Sequence, residues 1–122
     1  MKSVKIGDIT SANVTGLFTN CESLEIIEIG IGADSVAFDN TCFSGCDQLQ
    51  RLIFNNVGNW SGCNINLSDS RSFPRESFVY MMNSMPATTA GYTITLNGTA
   101  YRKLTDEDKA IATDKGYLVA SV

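Results

Sequence analysis

Apolar positions recur at a constant spacing in the first half of this chain. Phe18–Ile29 aligns with Phe43–Phe54, and in both segments Phe, Cys and Leu occupy the same offsets ahead of two further matched apolar positions. A period of roughly 20–29 residues with apolar residues spaced in this way is typical of stacked repeats, in which each unit contributes one short strand. The pattern therefore predicts a stacked parallel sheet with one strand from each unit.

A third, shortened unit is predicted after the second. Trp60-Ser61-Gly62-Cys63 repeats the spacing of Phe43-Ser44-Gly45-Cys46, and Asn64–Leu67 alternates polar and apolar residues as a half-buried strand does. Since successive strand residues face opposite sides of a sheet, two inward rows are predicted. The first row is Ile27, Leu52, Ile65, Ile94 and Leu118. The second is Ile29, Phe54, Leu67, Leu96 and Ala120.

The positions between these rows are predicted to face outward on the concave side of the stack. Outward apolar residues such as Ile26 and Ile53 lower solubility unless another molecule covers them. We therefore predict that a protein partner binds this face; the alternative is that the apolar residues are merely tolerated there. The candidate contact residues are Ile26, Glu28, Arg51, Ile53, Asn64 and Asn66.

After Leu67 the pattern indicates helices. Pro74 suits the first turn of a helix, and Met81, Met82 and Met85 follow at helical spacing, which favours a place in the core over an adaptable binding groove. A strand is predicted over 92–96, with Asn97-Gly98 as the turn that closes it.

The last helix has the clearest boundaries in the sequence. Thr105 can cap its N-terminus, the acidic run 106–108 suits the positive end of the helix dipole without a bound Ca²⁺, and Gly116 can end it in a left-handed conformation. A final strand is predicted over 117–120. A strand–helix–strand unit favours parallel pairing with a right-handed connection, so this half is predicted to continue the same sheet.

The cysteines and the single tryptophan are predicted to be core residues. Cys21 and Cys46 share a repeat position, and Cys63 is assigned to the same position in the third unit. A row of small apolar side chains is the main interpretation, and a disulfide that involves Cys42 is the alternative. The alignment of Trp60 with two phenylalanines favours burial over an exposed contact role.

Composition and charge narrow the function classes. The 122 residues carry a net charge of −4 and no histidine. Scattered cations do not favour a nucleic-acid partner, and no apolar run is long enough to insert in a membrane. The missing histidine removes the commonest general base and metal ligand, so we expect no enzyme activity, no catalytic residues, no cofactor and no metal.

Two segments resemble a known family. The pattern Phe-x-x-Cys-x-x-Leu-x-x-Ile-x-Ile at Phe18–Ile29 and Phe43–Phe54 resembles the BspA-like leucine-rich repeats of bacterial surface proteins. Ser77–Met85 looks like the helix that follows the last short repeat in such proteins, and Leu104–Tyr117 is similar to their C-terminal ending. The fold expected is α/β: a short right-handed leucine-rich-repeat solenoid with a parallel sheet and C-terminal helices.

The resemblance implies adhesion or protein recognition, in a bacterial cell-surface or secreted protein. Similar modules occur in phage structural proteins, so a subunit of a phage tail, a virion or another multimeric surface structure is the alternative. One leucine-rich-repeat domain is expected over 1–122, with short repeats over about 1–68 and a helix–strand–helix–strand cap over 69–122. An open edge near Ile6 to Ile9 could join a neighbouring subunit or a second copy.

The N-terminal segment, Met1–Asp8, has no apolar stretch after its lysines, so we expect no secretion signal in this chain. Because the chain has only two to three repeats, it is expected to be part of a longer surface protein or a short member of the family that is built into a larger assembly.

Overall fold

The structure, a computed structural model, describes residues 2–122. The strands of the described chain are β1 (Ser3–Ile9), β2 (Ile26–Ile31), β3 (Arg51–Asn55), β4 (Ile65–Leu67), β5 (Thr93–Leu96) and β6 (Leu118–Ser121). Its helices are α1 (Arg75–Ser84), α2 (Gly98–Tyr101) and α3 (Asp106–Asp114), with a short 3-10 helix at Val57–Asn59.

The fold is mixed α/β, with two small parallel sheets. The first sheet has the order β1-β2-β3 and the second has the order β4-β5-β6. Parallel pairing was predicted and is confirmed. The register between β2 and β3 also matches the prediction, because Ile27 pairs with Leu52 and Ile29 pairs with Phe54. All four of these side chains are buried in one core.

The prediction of one continuous sheet is wrong, because β3 and β4 belong to different sheets. The step along the chain from Leu52 to Ile65 is only about half the step from Ile27 to Leu52, which is too short to complete another unit. Helix α1 packs against β3 instead, and the Ser77 hydroxyl donates a hydrogen bond to the Gln50 carbonyl. The C-terminal half thus forms a sheet of its own.

The sequence repeat is visible in the local conformation of the first two units. Asn20 and Gly45, which occupy equivalent positions in the two units, both have a left-handed backbone with φ of 62° and 79°. The Phe18 and Phe43 rings stack with their centroids 6.0 Å apart. The Asn20 N–H donates to the Ser44 carbonyl at 2.7 Å, so corresponding turns lie directly against each other.

The cysteine side chains are free thiols, and all but Cys21 are buried. The Cys42 thiol donates to the Val14 carbonyl at 3.0 Å and the Cys46 thiol donates to the Phe18 carbonyl at 3.2 Å. Burial in the core is therefore confirmed for Cys46 and Cys63, whereas Cys21 is half-buried. The alternative of a disulfide at Cys42 is not what the structure has. Cys63 was predicted to lie next to Cys46 in the row of cysteines. Because the third unit is shortened, Ser70 lies there instead, and its hydroxyl donates a hydrogen bond to the Cys46 carbonyl.

Trp60 is buried, as predicted, but for a different reason from the predicted alignment with Phe43. Its indole N–H donates to the Val36 carbonyl at 2.8 Å, and its ring lies 5.1 Å from the Phe54 ring. The next N–H, from Ser61, donates to the Asp34 carbonyl. The 3-10 turn after β3 brings the chain back early, so Trp60 lies beside the 34–36 segment.

Helix α1 presents Met81 and Met82 to the core, and Met85, which directly follows the helix, is buried as well. The predicted place of the three methionines in the core is confirmed. Lys115, the residue that follows α3, contacts the end of α1. Its ammonium group donates to the carbonyls of Met82, Asn83 and Met85, at 2.9, 2.9 and 2.8 Å. This single side chain satisfies carbonyls that the C-terminus of α1 leaves without helical partners and ties α3 to α1.

Thr105 caps α3 as predicted, and the cap extends into an ion pair between the buried Asp108 and the partly exposed Arg75. The Thr105 hydroxyl accepts from the Asp108 N–H at 3.1 Å, and the Asp108 carboxylate accepts from the Thr105 N–H at 3.0 Å. The same carboxylate accepts two hydrogen bonds from Arg75, at the start of α1. Asp108 is only 3% exposed. Through these hydrogen bonds it joins the N-termini of both helices.

We expect Asp108→Asn to lower the free energy of unfolding at pH 7 by about 2 kcal/mol. Burial alone would raise the pKa of Asp108, but the hydrogen bonds from Arg75 and Thr105 outweigh it, and the pKa lies below its usual value. A carboxyl group with a lowered folded-state pKa stabilises the protein above pH about 4, and the contribution is lost as the pH falls through that pKa. Urea unfolding at pH 7 measures the loss of stability, and the same measurement at pH 3 shows its dependence on pH.

Asp106→Asn, in the same turn of α3 but exposed, is the matched control and should change stability little. The difference between wild type and Asp108→Asn should shrink at pH 3. An equal difference at both pH values would show that the ionised carboxylate is not what stabilises this corner.

The final strand forms where it was predicted, but its register is shifted by one residue. Ile94 pairs with Val119, not with the predicted Leu118. A shift of one residue turns every side chain to the opposite face. With Leu118 and Ala120 predicted to face inward, Tyr117 would have faced outward. It is buried instead, and its hydroxyl donates to the Pro86 carbonyl at 2.8 Å. Leu118 is 61% exposed.

Asn97-Gly98 closes β5 but starts a helix, where a turn was predicted. The Asn97 side chain accepts a hydrogen bond from the Thr99 N–H at 2.9 Å and caps α2. The Asn97 amide also donates to the Ser68 carbonyl at 3.0 Å. Asn is a favoured N-cap as well as a turn residue, so the dipeptide alone did not distinguish the two.

Candidate functional site

The structure brings four of the six predicted contact residues together on the first sheet. Ile26 pairs with Arg51, and Glu28 pairs with Ile53. Since their neighbours along each strand are buried, these four side chains face away from the core. We call this group, Ile26, Glu28, Arg51 and Ile53, the sheet patch. Arg51 is exposed, and the other three are half-buried.

The charge of Glu28 is fixed by its neighbours on both sides. The Asn55 amide donates to its carboxylate at 2.9 Å, and the Lys5 ammonium lies 3.4 Å away on β1. The hydrogen bond from Asn55 is the main cause that lowers the pKa of Glu28. Burial raises this pKa, and the nearby Lys5 lowers it further. Glu28 is therefore ionised at neutral pH and held in place within the sheet patch.

A cleft of about 360 Å³ borders the patch where β3 meets α1. Ile26 and Arg51 line it from the sheet, and Pro74, Glu76 and Ser77 line it from the start of α1. The cleft arises because a helix, rather than a fourth strand, follows β3 in space. It gives the patch a wall against which a partner side chain could pack.

Asn64 and Asn66 do not join the patch. Asn66 lies in β4 of the second sheet, and Asn64 immediately precedes that strand. The Asn64 side chain accepts from the Thr93 N–H at 2.7 Å, and the Asn66 side chain accepts from the Ser68 N–H at 3.0 Å. Asn64 thus bonds the backbone of β5 and Asn66 bonds the turn after its own strand. The prediction that placed both beside Arg51 fails with the continuous sheet.

Lys5, Asn55 and Glu76 are members of the surface that sequence reasoning missed. Lys5 and Asn55 could have been found, because β1 and β3 alternate polar and apolar residues on either side of β2. Glu76 could not have been found, since no pattern in the sequence shows that α1 would pack beside β3.

The buried thiols do not have the chemistry of nucleophiles. Burial raises the pKa values of Cys46 and Cys63 to about 11, so both are protonated at neutral pH, whereas the thiolate is the reactive form. Within residues 2–122, no group of three or more Cys, Asp or Glu side chains could hold a metal ion. No helix in this range is long and apolar enough to cross a membrane.

A scan against protein-family models, a search of the curated proteins and a search of the solved structures found no match to this chain. The interpretation of the sheet patch therefore rests on its geometry.

Proposed function

We propose that this chain is a non-catalytic protein-binding module of the BspA-like leucine-rich-repeat type, which binds a partner protein through the concave face of a short solenoid. The observation that carries the proposal is the sheet patch, where two half-buried isoleucines lie next to an exposed arginine and a fixed carboxylate. Binding surfaces combine apolar contacts with oriented charges in this way.

The repeated turns support the solenoid part of the proposal. Asn20 and Gly45 are left-handed at equivalent positions, the Phe18 and Phe43 rings stack, and β2 pairs with β3 at the spacing of the sequence repeat. Equivalent residues of neighbouring units lie against each other in this way in stacked repeats. The buried thiols and the missing histidine favour binding over catalysis.

The chemistry of the patch favours a partner with a mixed surface. An apolar side chain could cover Ile26 and Ile53 and enter the cleft beside Pro74, while an acidic group of the partner pairs with Arg51. A bacterial cell-surface or secreted protein that recognises a host or neighbouring cell-surface protein would use such a face, and we propose that setting for this chain.

Panning a phage-displayed library of short random peptides against the immobilised protein tests the proposal. The enriched peptides are synthesised and titrated against wild type and against the double variant Ile26→Ala/Ile53→Ala. We expect the double variant to bind at least tenfold more weakly, because central apolar residues dominate binding energy. Leu17→Ala, an exposed leucine outside the patch, is the matched control and should bind normally.

Enriched peptides that bind the double variant as tightly as wild type would contradict the proposal, provided that circular dichroism shows the variant to be folded. A library that yields no peptide with measurable affinity would also count against a recognition face.

One observation favours a second candidate function, a structural subunit of a phage tail, virion or other surface assembly. β1 pairs only with β2, and its inward side chains Val4, Ile6 and Ile9 remain half-exposed at the end of the core. A neighbouring subunit could cover these apolar side chains. Under this candidate, Ile6→Lys/Ile9→Lys abolishes association.

A further inference from the structure

Two of the four exposed large apolar residues in the described chain lie at the same edge. Leu118 begins β6 and is 61% exposed, and Val122 follows the strand and is 73% exposed. With Ala120 between them, they alternate along one face of the second sheet. No charged residue interrupts the run from Leu118 to Val122.

The backbone of β6 is unpaired on its outer side. The Leu118 N–H donates to the Tyr92 carbonyl, and the Val122 N–H donates to the Leu96 carbonyl. Because parallel ladders use alternate residues, the N–H and C=O groups of Val119 and Ser121 point away from β5. β6 is the terminal strand of its sheet, so these groups form an open edge.

This edge lacks the features that protect β1. On β1, Lys5 and an irregular register between Ile6 and Ile9 work against edge-to-edge pairing. β6 has neither a charge nor a bulge. An exposed, apolar, regular edge is the kind that pairs with another strand.

We propose that β6 is a self-association site, where a second copy of this chain pairs antiparallel across a two-fold axis centred on Ala120. In this register Val119 of each copy faces Ser121 of the other, so each outward N–H and C=O finds a partner. Leu118 faces Val122 of the other copy, and Ala120 faces Ala120. The register is self-complementary, as a two-fold interface requires, and it joins the second sheets into one six-stranded sheet.

Of the large apolar side chains in residues 2–122, Leu118 and Val122 are the most exposed. The register covers them with each other, which is the reason to favour a second copy over an unrelated strand. We expect a weak dimer, because two such short strands bury much less than the roughly 1,200 Å² of a stable interface. This site is independent of the sheet patch, which lies on the first sheet, so both can be occupied together.

Sedimentation equilibrium of the full chain from about 10 µM to 1 mM tests the site. We expect a monomer–dimer equilibrium with a dissociation constant raised at least tenfold by Leu118→Lys and by Ser121→Pro. The proline removes an N–H that faces the open edge and spares the bonds to β5. Ile6→Lys/Ile9→Lys is the control and should dimerise normally.

A monomer up to 1 mM would overturn the proposal. So would a dimer lost only in the β1 variant, a result that favours the structural-subunit candidate instead. Circular dichroism establishes that each variant is folded.

A cysteine at the axis tests the register. Ala120→Cys should form a disulfide-linked dimer when glutathione disulfide takes up the electrons and protons of the two thiols, since facing residues of this kind have Cα atoms about 4.5 Å apart. Leu118→Cys faces Val122 and should link far less. Equal linking of both variants, or linking no greater than in wild type, would overturn the register.

Discussion

Replacing Gly116 with alanine is expected to lower the free energy of unfolding by about 3 kcal/mol. Gly116 has φ of 95°, which an L-residue with a side chain rarely adopts, and an added Cβ would collide with the Thr88 carbonyl oxygen. The Thr88 N–H donates to the Lys115 carbonyl at 2.7 Å, so the 88 segment cannot move away without loss of that bond. Urea denaturation measures the change.

Gly91→Ala separates the cost of a positive φ from the cost of the collision with Thr88. Gly91 also has a positive φ, 76°, but nothing lies within 4 Å of its added Cβ. This variant should therefore show only the backbone cost, about 1 kcal/mol. If the two variants were destabilised equally, the close packing of the 88 segment on the end of α3 would not contribute.

Gly116 also shows which features of the structure could be predicted from the sequence. Its role as the left-handed end of a helix followed from its position after a capped, amphipathic segment, because capping chemistry is local. Thr105 was identified for the same reason. The partner of the cap, Arg75, comes from another helix, and no local pattern indicates that α1 and α3 begin side by side.

The sequence repeat was equally informative where two complete units exist. It predicted the pairing of Ile27 with Leu52, because equal spacing gives equal positions in stacked strands. It failed after β3, where Trp60 and Cys63 imitate the earlier spacing while the chain returns too early to form a third unit. A short segment that resembles the repeat does not set the register of a strand when the number of residues between successive strands is halved.

The sheet patch was partly predictable for the same reason. Ile26, Glu28, Arg51 and Ile53 depend only on the two complete units, and they lie together. Asn64 and Asn66 depended on a third unit, and their side chains accept hydrogen bonds from backbone N–H groups in and beside the other sheet. The cleft beside the patch depends on long-range packing of α1, which the sequence did not indicate.

The last strand offers the sharpest test of side-chain register, with two leucines that were assigned to the same inward row. Leu52 is fully buried and Leu118 is 61% exposed. We expect Leu52→Ala to lower the free energy of unfolding by about 3 kcal/mol, since a cavity replaces packed atoms. Leu118→Ala should change it by less than about 0.5 kcal/mol.

Urea unfolding of both variants at 5 µM keeps association through β6 from contributing. Similar losses for the two leucines would mean that Leu118 points into the core, as the sequence pattern first suggested. In that case Tyr117, rather than Leu118, would be exposed on the outer face, and β6 would lose the apolar edge on which self-association depends. The predicted difference between the two variants therefore tests the register of β6 and the basis for dimerisation together.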